Sequence, residues 1–171
     1  MTDEPTHQDR FHQRTPPPPG INAFVQAKEG ELDGTEASCK AFGYLRGTHN
    51  SAAAVEFRFH DGNSTWFPYS WMGPWQYNPS EGLLLKFSGD LVYLVLIRGS
   101  NLAKPLGDGA INLTHAGLQR HRVLWIREMS EEEIRQVGET GPTIDSIEIA
   151  EFESHEALKD WVGKRAPAFA R

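Results

Sequence analysis

The chain has 171 residues, of which 39% are hydrophobic and 23% are charged, and its formal net charge is -6. A chain of this length can bury a hydrophobic core, which favours one domain with tails over two full-sized domains. Its single cysteine, Cys39, cannot form an internal disulfide, so an extracellular disulfide scaffold is excluded. The longest apolar run, residues 91–97, is far shorter than the roughly 20 residues of a membrane-spanning helix. We therefore expect a cytoplasmic protein with no membrane partner.

Charge is distributed unevenly along the chain. Residues 1–39 carry a net charge of -4, residues 40–127 carry +4, and residues 128–171 carry -6. A cationic middle between anionic ends could hold an anionic partner, or it could attract its own flanks.

The N-terminal residues 1–38 lack hydrophobic periodicity and contain the run Pro16–Pro19. Proline runs favour an extended polyproline II conformation, whose backbone is solvated rather than paired. We expect a disordered or loosely attached arm. With Arg14 ahead of the prolines, the run has the composition of a PxxP ligand, and the alternative is a plain stiff spacer.

From residue 41 onward the pattern is typical of β-strands. Residues 55–59 alternate apolar and charged side chains, and the turn-forming residues 60–63 separate them from residues 65–70. Residues 82–87 and 91–97 flank a second turn, and the continuous apolarity of 91–97 indicates a central strand buried on both faces. The remaining strand candidates are residues 41–46, 121–127 and 144–152.

Two short helices are predicted near the C-terminus. Ser130 and Glu133 have the spacing of a capping box, and Gly138 ends that helix. Ser154 caps a second helix, with Gly163 as its stop. Residues 164–171 are expected to be a frayed tail.

These elements predict a mainly β domain over residues 40–163 with two short C-terminal helices. Successive hairpins favour a small antiparallel barrel or a strongly bent sheet. The alternative is a two-layer α+β sheet with the helices on one face.

Residues 66–77 are the most unusual segment, because they hold six of the chain's eighteen aromatic residues. Aromatic faces suit stacking and protein anchoring, and a Gly-Pro turn tends to lie at the surface. The alternative is that these side chains cover the core. The predicted partner-binding residues are Trp66, Tyr69, Trp71, Met72, Trp75 and Tyr77.

Basic residues near the strand at 121–127 form a candidate anion site, made of Arg120, His121, Arg122 and Arg127. Strict alternation places His121, Val123, Trp125 and Arg127 on one face of that strand. A guanidinium beside an aromatic ring could bind phosphate, whereas charged residues at strand ends are usually just solvated.

No catalytic motif is present, and Cys39 has no neighbouring motif that would activate its thiol. The seven histidines lack the tight pairing of a metal site, so neither a metal nor a cofactor is predicted.

Three functions remain open. The first is a non-enzymatic binding or assembly module that recognises a protein partner through the aromatic Gly-Pro loop. The second is nucleic-acid binding by the cationic middle, which the net acidity disfavours. The third is a small enzyme with a pocket beside Trp66, Tyr69, His60 and Arg122. The sequence is compatible with a homo-oligomer.

Overall fold

A computed structural model describes residues 36–47, 49–107 and 111–170. They belong to one compact unit between Gly34 and Arg171. Five strands form a first sheet: β1 (Glu36–Ser38), β2 (Phe42–Leu45), β3 (Ala54–Arg58), β4 (Ser64–Pro68) and β8 (Val123–Arg127). Four strands form a second sheet: β5 (Gln76–Asn78), β6 (Gly82–Ser88), β7 (Val92–Arg98) and β9 (Ser146–Phe152). The described α-helices are α1 (Glu131–Val137) and α2 (His155–Arg165).

The predicted mainly β fold class is confirmed, and the two sheets are separate rather than closed into a barrel. The first sheet has the order β1-β2-β8-β3-β4, and the second has the order β5-β6-β7-β9. The first sheet is mixed, because β3 and β8 are parallel while its other neighbouring strands are antiparallel. Strand β8 thus lies between β2 and β3, although it comes more than sixty residues after them in the chain.

Both predicted hairpins are present. In the β3–β4 turn, the Asp61 carboxylate accepts a hydrogen bond from the backbone N–H of Asn63 at 2.9 Å, an Asx turn that fixes the connection. The β6–β7 hairpin pairs Leu83 with Ile97 and Ser88 with Val92. Strand β7 lies between β6 and β9, as its continuous apolarity predicts.

The main core lies between the two sheets. Phe87 on β6 stacks on Phe67 of β4, with ring centroids 4.6 Å apart. It also meets the edge of Phe57 on β3 at 6.2 Å. A smaller core lies on the opposite face of the second sheet, where α2 packs through Val162 on Leu94 and neighbouring residues. The fold therefore has three layers, with the second sheet covered on both faces.

The C-terminal prediction needs correction. Helix α2 continues through Gly163 to Arg165 instead of stopping, and Gly163 lacks the positive φ that a glycine adopts when it ends a helix. A 3-10 turn follows at Pro167–Phe169, and Phe169 is buried against the outer face of the second sheet. The segment predicted to be a frayed tail thus contains the end of α2 and this 3-10 turn. Within the described residues, neither the length nor the apolarity of any helix reaches what a bilayer crossing requires.

The boundary of the N-terminal arm also lies earlier than predicted. Residues Glu36–Ser38, assigned to the arm, form β1 and pair with β2. Residues 1–35, including the proline run, lie outside the described residues.

Helix α1 begins as its sequence predicts. The Ser130 hydroxyl accepts a hydrogen bond from the Glu133 backbone N–H at 3.3 Å, and the Glu133 carboxylate accepts one from the Ser130 N–H at 3.0 Å. This reciprocal pair satisfies two backbone donors that the first turn would otherwise leave free.

Candidate functional site

The aromatic segment carries the chain from the first sheet to the second. After β4, Tyr69–Trp71 form a 3-10 turn. Met72 then forms an isolated antiparallel β-bridge with Phe87 of β6, and the Gly73 N–H donates a hydrogen bond to the Lys86 carbonyl at 2.8 Å. The segment therefore follows β6 and is held by backbone hydrogen bonds rather than projecting as a free loop.

Two tryptophans of this segment are exposed. Trp66 is 61% exposed and Trp71 is 40% exposed, and they are the large hydrophobic side chains that face solvent in the described residues. Trp66 lies on β4, opposite Glu56 of β3. The Trp71 ring covers Gly89 in the β6–β7 turn, where a Cβ would come within 2.7 Å of the ring. Both tryptophans are available to a partner.

The remaining predicted partner-binding residues are partly or wholly in the core. Tyr69 is 4% exposed, its hydroxyl donates to the Val123 carbonyl at 2.8 Å, and its ring stacks on His121 at 4.5 Å. Burial raises the pKa of the Tyr69 hydroxyl well above its usual value. Met72, Trp75 and Tyr77 are half-buried and pack against the main core. Tyr69 is thus a packing residue that offers no surface to a partner.

The four basic residues of the predicted anion site do not form a cluster of free donors. Arg122 is 5% exposed, and its Nε donates to the Leu45 carbonyl at 3.0 Å. Arg127 forms a bidentate pair with Glu133, with N–O distances of 2.6 and 3.2 Å. His121 stacks on Tyr69, and Arg120 is exposed.

The predicted faces of β8 are wrong because of a register shift. Gly43 of β2 pairs with Trp125, but the next residue, Tyr44, pairs with Val123, which leaves Leu124 as the extra residue of a bulge. Val123 and Ile126 are consequently both buried, and alternation fails across the bulge.

The Arg127–Glu133 pair gives the fold an acid-sensitive contribution. The Arg127 guanidinium and the Ser130 N–H hold the pKa of the Glu133 carboxyl at about 2, against 4.5 in the absence of partners. A carboxyl whose pKa is lowered on folding stabilises the folded state above its unfolded pKa, and this contribution is lost as the pH falls toward 2.

We expect Glu133→Gln to lower the free energy of unfolding by about 1 kcal/mol at pH 7, because it removes the ion pair with Arg127 and leaves a neutral amide oxygen to accept the Ser130 N–H. The difference from the wild type should shrink as the pH falls from 4.5 to 2. Urea unfolding across this range measures it, with Glu132→Gln as the control because that carboxylate is 65% exposed. An equal difference at pH 7 and pH 2 would contradict the assignment.

An aromatic and charged row on the outer face of the first sheet was not predicted. Glu56 pairs with Trp66 on one side and with Trp125 on the other. Arg58 binds Glu56 at 2.6 Å and lies 4.7 Å above the Trp125 ring. Trp125 lies directly over Gly43, where a larger residue would displace the indole. The alternation of apolar and charged residues in β3 can be read from the sequence. The sequence does not indicate that β8 is its neighbour in the sheet.

A cavity of about 470 Å³ lies between the second sheet and the C-terminal elements. We call it the sheet–helix groove, and its lining residues are Pro74, Gln76, Leu84, Lys86, Leu94, His155, Leu158, Lys159, Val162, Phe169 and Ala170. A second cavity of about 280 Å³ adjoins it, sharing Gln76 and Phe169. Sequence reasoning missed the groove because it depends on how α2 packs on the sheet.

The four residues proposed for an enzyme pocket lie in different environments. Tyr69 and Arg122 are buried, Trp66 is exposed on β4, and His60 is exposed in the β3–β4 turn. Across residues 36–47, 49–107 and 111–170, no three histidine, cysteine or carboxylate side chains converge as metal ligands.

Comparison with known proteins gives no match: no family model, no curated protein and no solved structure is significantly similar to this chain.

Proposed function

We propose that this protein is a binding module that recognises an extended segment of a protein partner at strand β4 and its exposed tryptophans. The observation that carries the proposal is Trp66, which is 61% exposed on an edge strand. Exposed tryptophans are over-represented among the residues that dominate binding energy at protein interfaces.

The hydrogen bonding of β4 supports an edge-strand mode of recognition. The Tyr69 N–H donates to the Ala53 carbonyl at 2.9 Å, and the Phe59 N–H donates to the Asn63 carbonyl at 3.0 Å. Antiparallel pairs alternate between hydrogen-bonded and non-hydrogen-bonded, so the Glu56–Trp66 pair is non-hydrogen-bonded. The backbone N–H and carbonyl of Trp66 therefore point away from β3, toward the open edge.

An open edge of this kind can accept a peptide by strand addition. Main-chain hydrogen bonds supply affinity, and alternate side chains supply specificity. The Trp66 ring, on the outer face of the same strand, would contact alternate side chains of the added segment. Pro68 has no N–H to donate, so pairing would centre on Ser64–Trp66 rather than run beyond the end of β4.

The charges near this edge favour a peptide over a nucleic acid. Arg58 is paired with Glu56 at 2.6 Å, and Arg127 is paired with Glu133. Phosphate recognition depends on basic side chains that are free to neutralise it, and these two guanidiniums already have carboxylate partners.

The test is selection of linear peptides from a displayed random library on the full chain, followed by calorimetric titration of the enriched peptides. We expect Trp66→Ala to weaken binding by about 30-fold or more, the range of an interface hot spot. Backbone amide exchange at Ser64 and Trp66 should slow on binding. Trp161→Phe is the matched control, because Trp161 belongs to α2 and packs on Phe152 of the second sheet, away from β4.

Two results would contradict the proposal. One is the absence of any enriched peptide that binds the wild-type chain saturably. The other is equal binding by Trp66→Ala and the wild type. Circular dichroism and thermal unfolding of the variant check that the fold is retained.

A further inference from the structure

The body of the sheet–helix groove is apolar. Leu84 and Leu94 form its floor on the outer face of the second sheet, and they are 6% and 3% exposed. Val162 of α2 and Phe169 of the C-terminal turn form the opposite wall. A concave site of about 470 Å³ with mainly apolar walls has the size of a small-molecule site.

The polar side chains of the groove are segregated. Lys86 follows Leu84 by two residues on β6, so it extends on the same face of the sheet. Lys159 and His155 stand one turn apart on α2. These three basic side chains line the groove, and no acidic side chain of the described residues does.

The lysines of the groove differ from neighbouring basic residues in having no carboxylate partner. Lys164 binds Asp160 at 2.6 Å, and Arg165 binds Glu148 at 2.7 Å. Across the part of the chain that the structure describes, neither the Lys86 nor the Lys159 ammonium lies within 4 Å of a carboxylate. The groove thus combines an apolar body with uncompensated positive charge.

The β5 side of the groove is neutral. Gln76 pairs with Leu84, and Asn78 pairs with Gly82, so both amides lie on β5, beside the part of β6 that precedes Lys86. Gln76 and Asn78 also line the adjoining cavity. This arrangement favours a ligand with its charge at Lys86 and its apolar body over Leu84, two residues away on β6, and over Leu94, which pairs with Lys86.

We propose that the sheet–helix groove binds a small amphiphilic carboxylate, with the carboxylate between Lys86 and Lys159 and an apolar chain over Leu84 and Leu94. Charge complementarity selects an anion, and the apolar walls select a chain over a compact polar anion such as inorganic phosphate. This site is separate from the β4 edge, so neither proposal depends on the other.

The test is calorimetric titration of the full chain with decanoate, below its micelle concentration, alongside octanoate, decanol and decyltrimethylammonium. We expect saturable 1:1 binding of decanoate and about sixteen-fold weaker binding of octanoate, which has two methylenes fewer, because each buried methylene contributes about four-fold in affinity. Decyltrimethylammonium should bind most weakly. The methyl NMR signals of Leu84, Leu94 and Val162 should shift on binding.

A charge variant separates the groove from adventitious binding. The double variant Lys86→Gln/Lys159→Gln should weaken the binding of decanoate about five-fold and leave the affinity for decanol unchanged. The control Lys104→Gln/Lys164→Gln has the same net charge and should bind as the wild type. The proposal is overturned if decanoate shows no saturable binding, if chain length has no effect, or if both double variants bind alike.

Discussion

Gly82→Ala is expected to lower the free energy of unfolding by about 3–5 kcal/mol. Gly82 has a φ of +119°, a conformation that side-chain-bearing residues rarely adopt. A Cβ at this position would also overlap the carbonyl oxygen of Ile97 and lie 3.3 Å from the Arg98 Cα. The obstacle is the backbone of the central strand β7, which cannot move aside by changing rotamer.

Substitutions at two other glycines separate the penalty for a positive φ from the steric overlap with β7. Gly62 has a φ of +85° with open space around it, so Gly62→Ala should carry only the conformational penalty of about 1 kcal/mol. Gly163 lies in α2 with open space around it, and Gly163→Ala should stabilise the fold by up to about 1 kcal/mol. Urea unfolding of the three variants measures the series. A loss in Gly82→Ala no greater than in Gly62→Ala would contradict the steric argument.

Phe87→Ala is expected to cost about 3–5 kcal/mol of unfolding free energy. Phe87 is fully buried, and its ring contacts Phe67 and Phe57 of the opposite sheet. Removing it leaves a cavity between the two sheets, lined by rings that cannot collapse without moving their strands. The loss combines the transfer free energy of the ring with the cost of that cavity.

The comparison variants for Phe87→Ala are Phe87→Leu and Trp66→Ala. Phe87→Leu keeps most of the volume and should cost less than half as much. Trp66→Ala deletes a larger side chain, but one that is 61% exposed, and should change stability by about 0.5 kcal/mol or less. Chemical denaturation of the three variants measures the order of their losses in unfolding free energy. Equal losses in Phe87→Ala and Trp66→Ala would show that the described core is not the one that stabilises the fold.

Features encoded within a few residues could be predicted from the sequence. The capping box at Ser130 and Glu133, the Asx turn at Asp61 and the apolar run of β7 each depend on near neighbours, and the structure contains all three. The mainly β class followed from the same local patterns.

Features that depend on distant residues could not be predicted. The bulge opposite Gly43 turns Val123 inward, and it arises only where β8 pairs with β2. Gly163 is compatible with a helix stop, but α2 continues to Arg165 and the 3-10 turn that follows buries Phe169 on the second sheet.

The candidate site shows the same division. Composition alone located the aromatic segment, yet it could not separate exposed Trp66 from buried Tyr69, because burial is decided by which strand lies opposite. The groove residues Lys86 and Lys159 are more than seventy positions apart, and no spacing rule connects them.

The position of β8 has a consequence for biosynthesis. Because β2 and β3 each pair with β8 and not with each other, the first sheet has no complete hydrogen-bonding ladder until Arg127 has left the ribosome. The β3–β4 and β6–β7 hairpins are local and can form earlier on the nascent chain. Translation therefore delivers these two hairpins before β8, and the first sheet is completed only when β8 inserts between β2 and β3, while the second sheet waits for the still later β9.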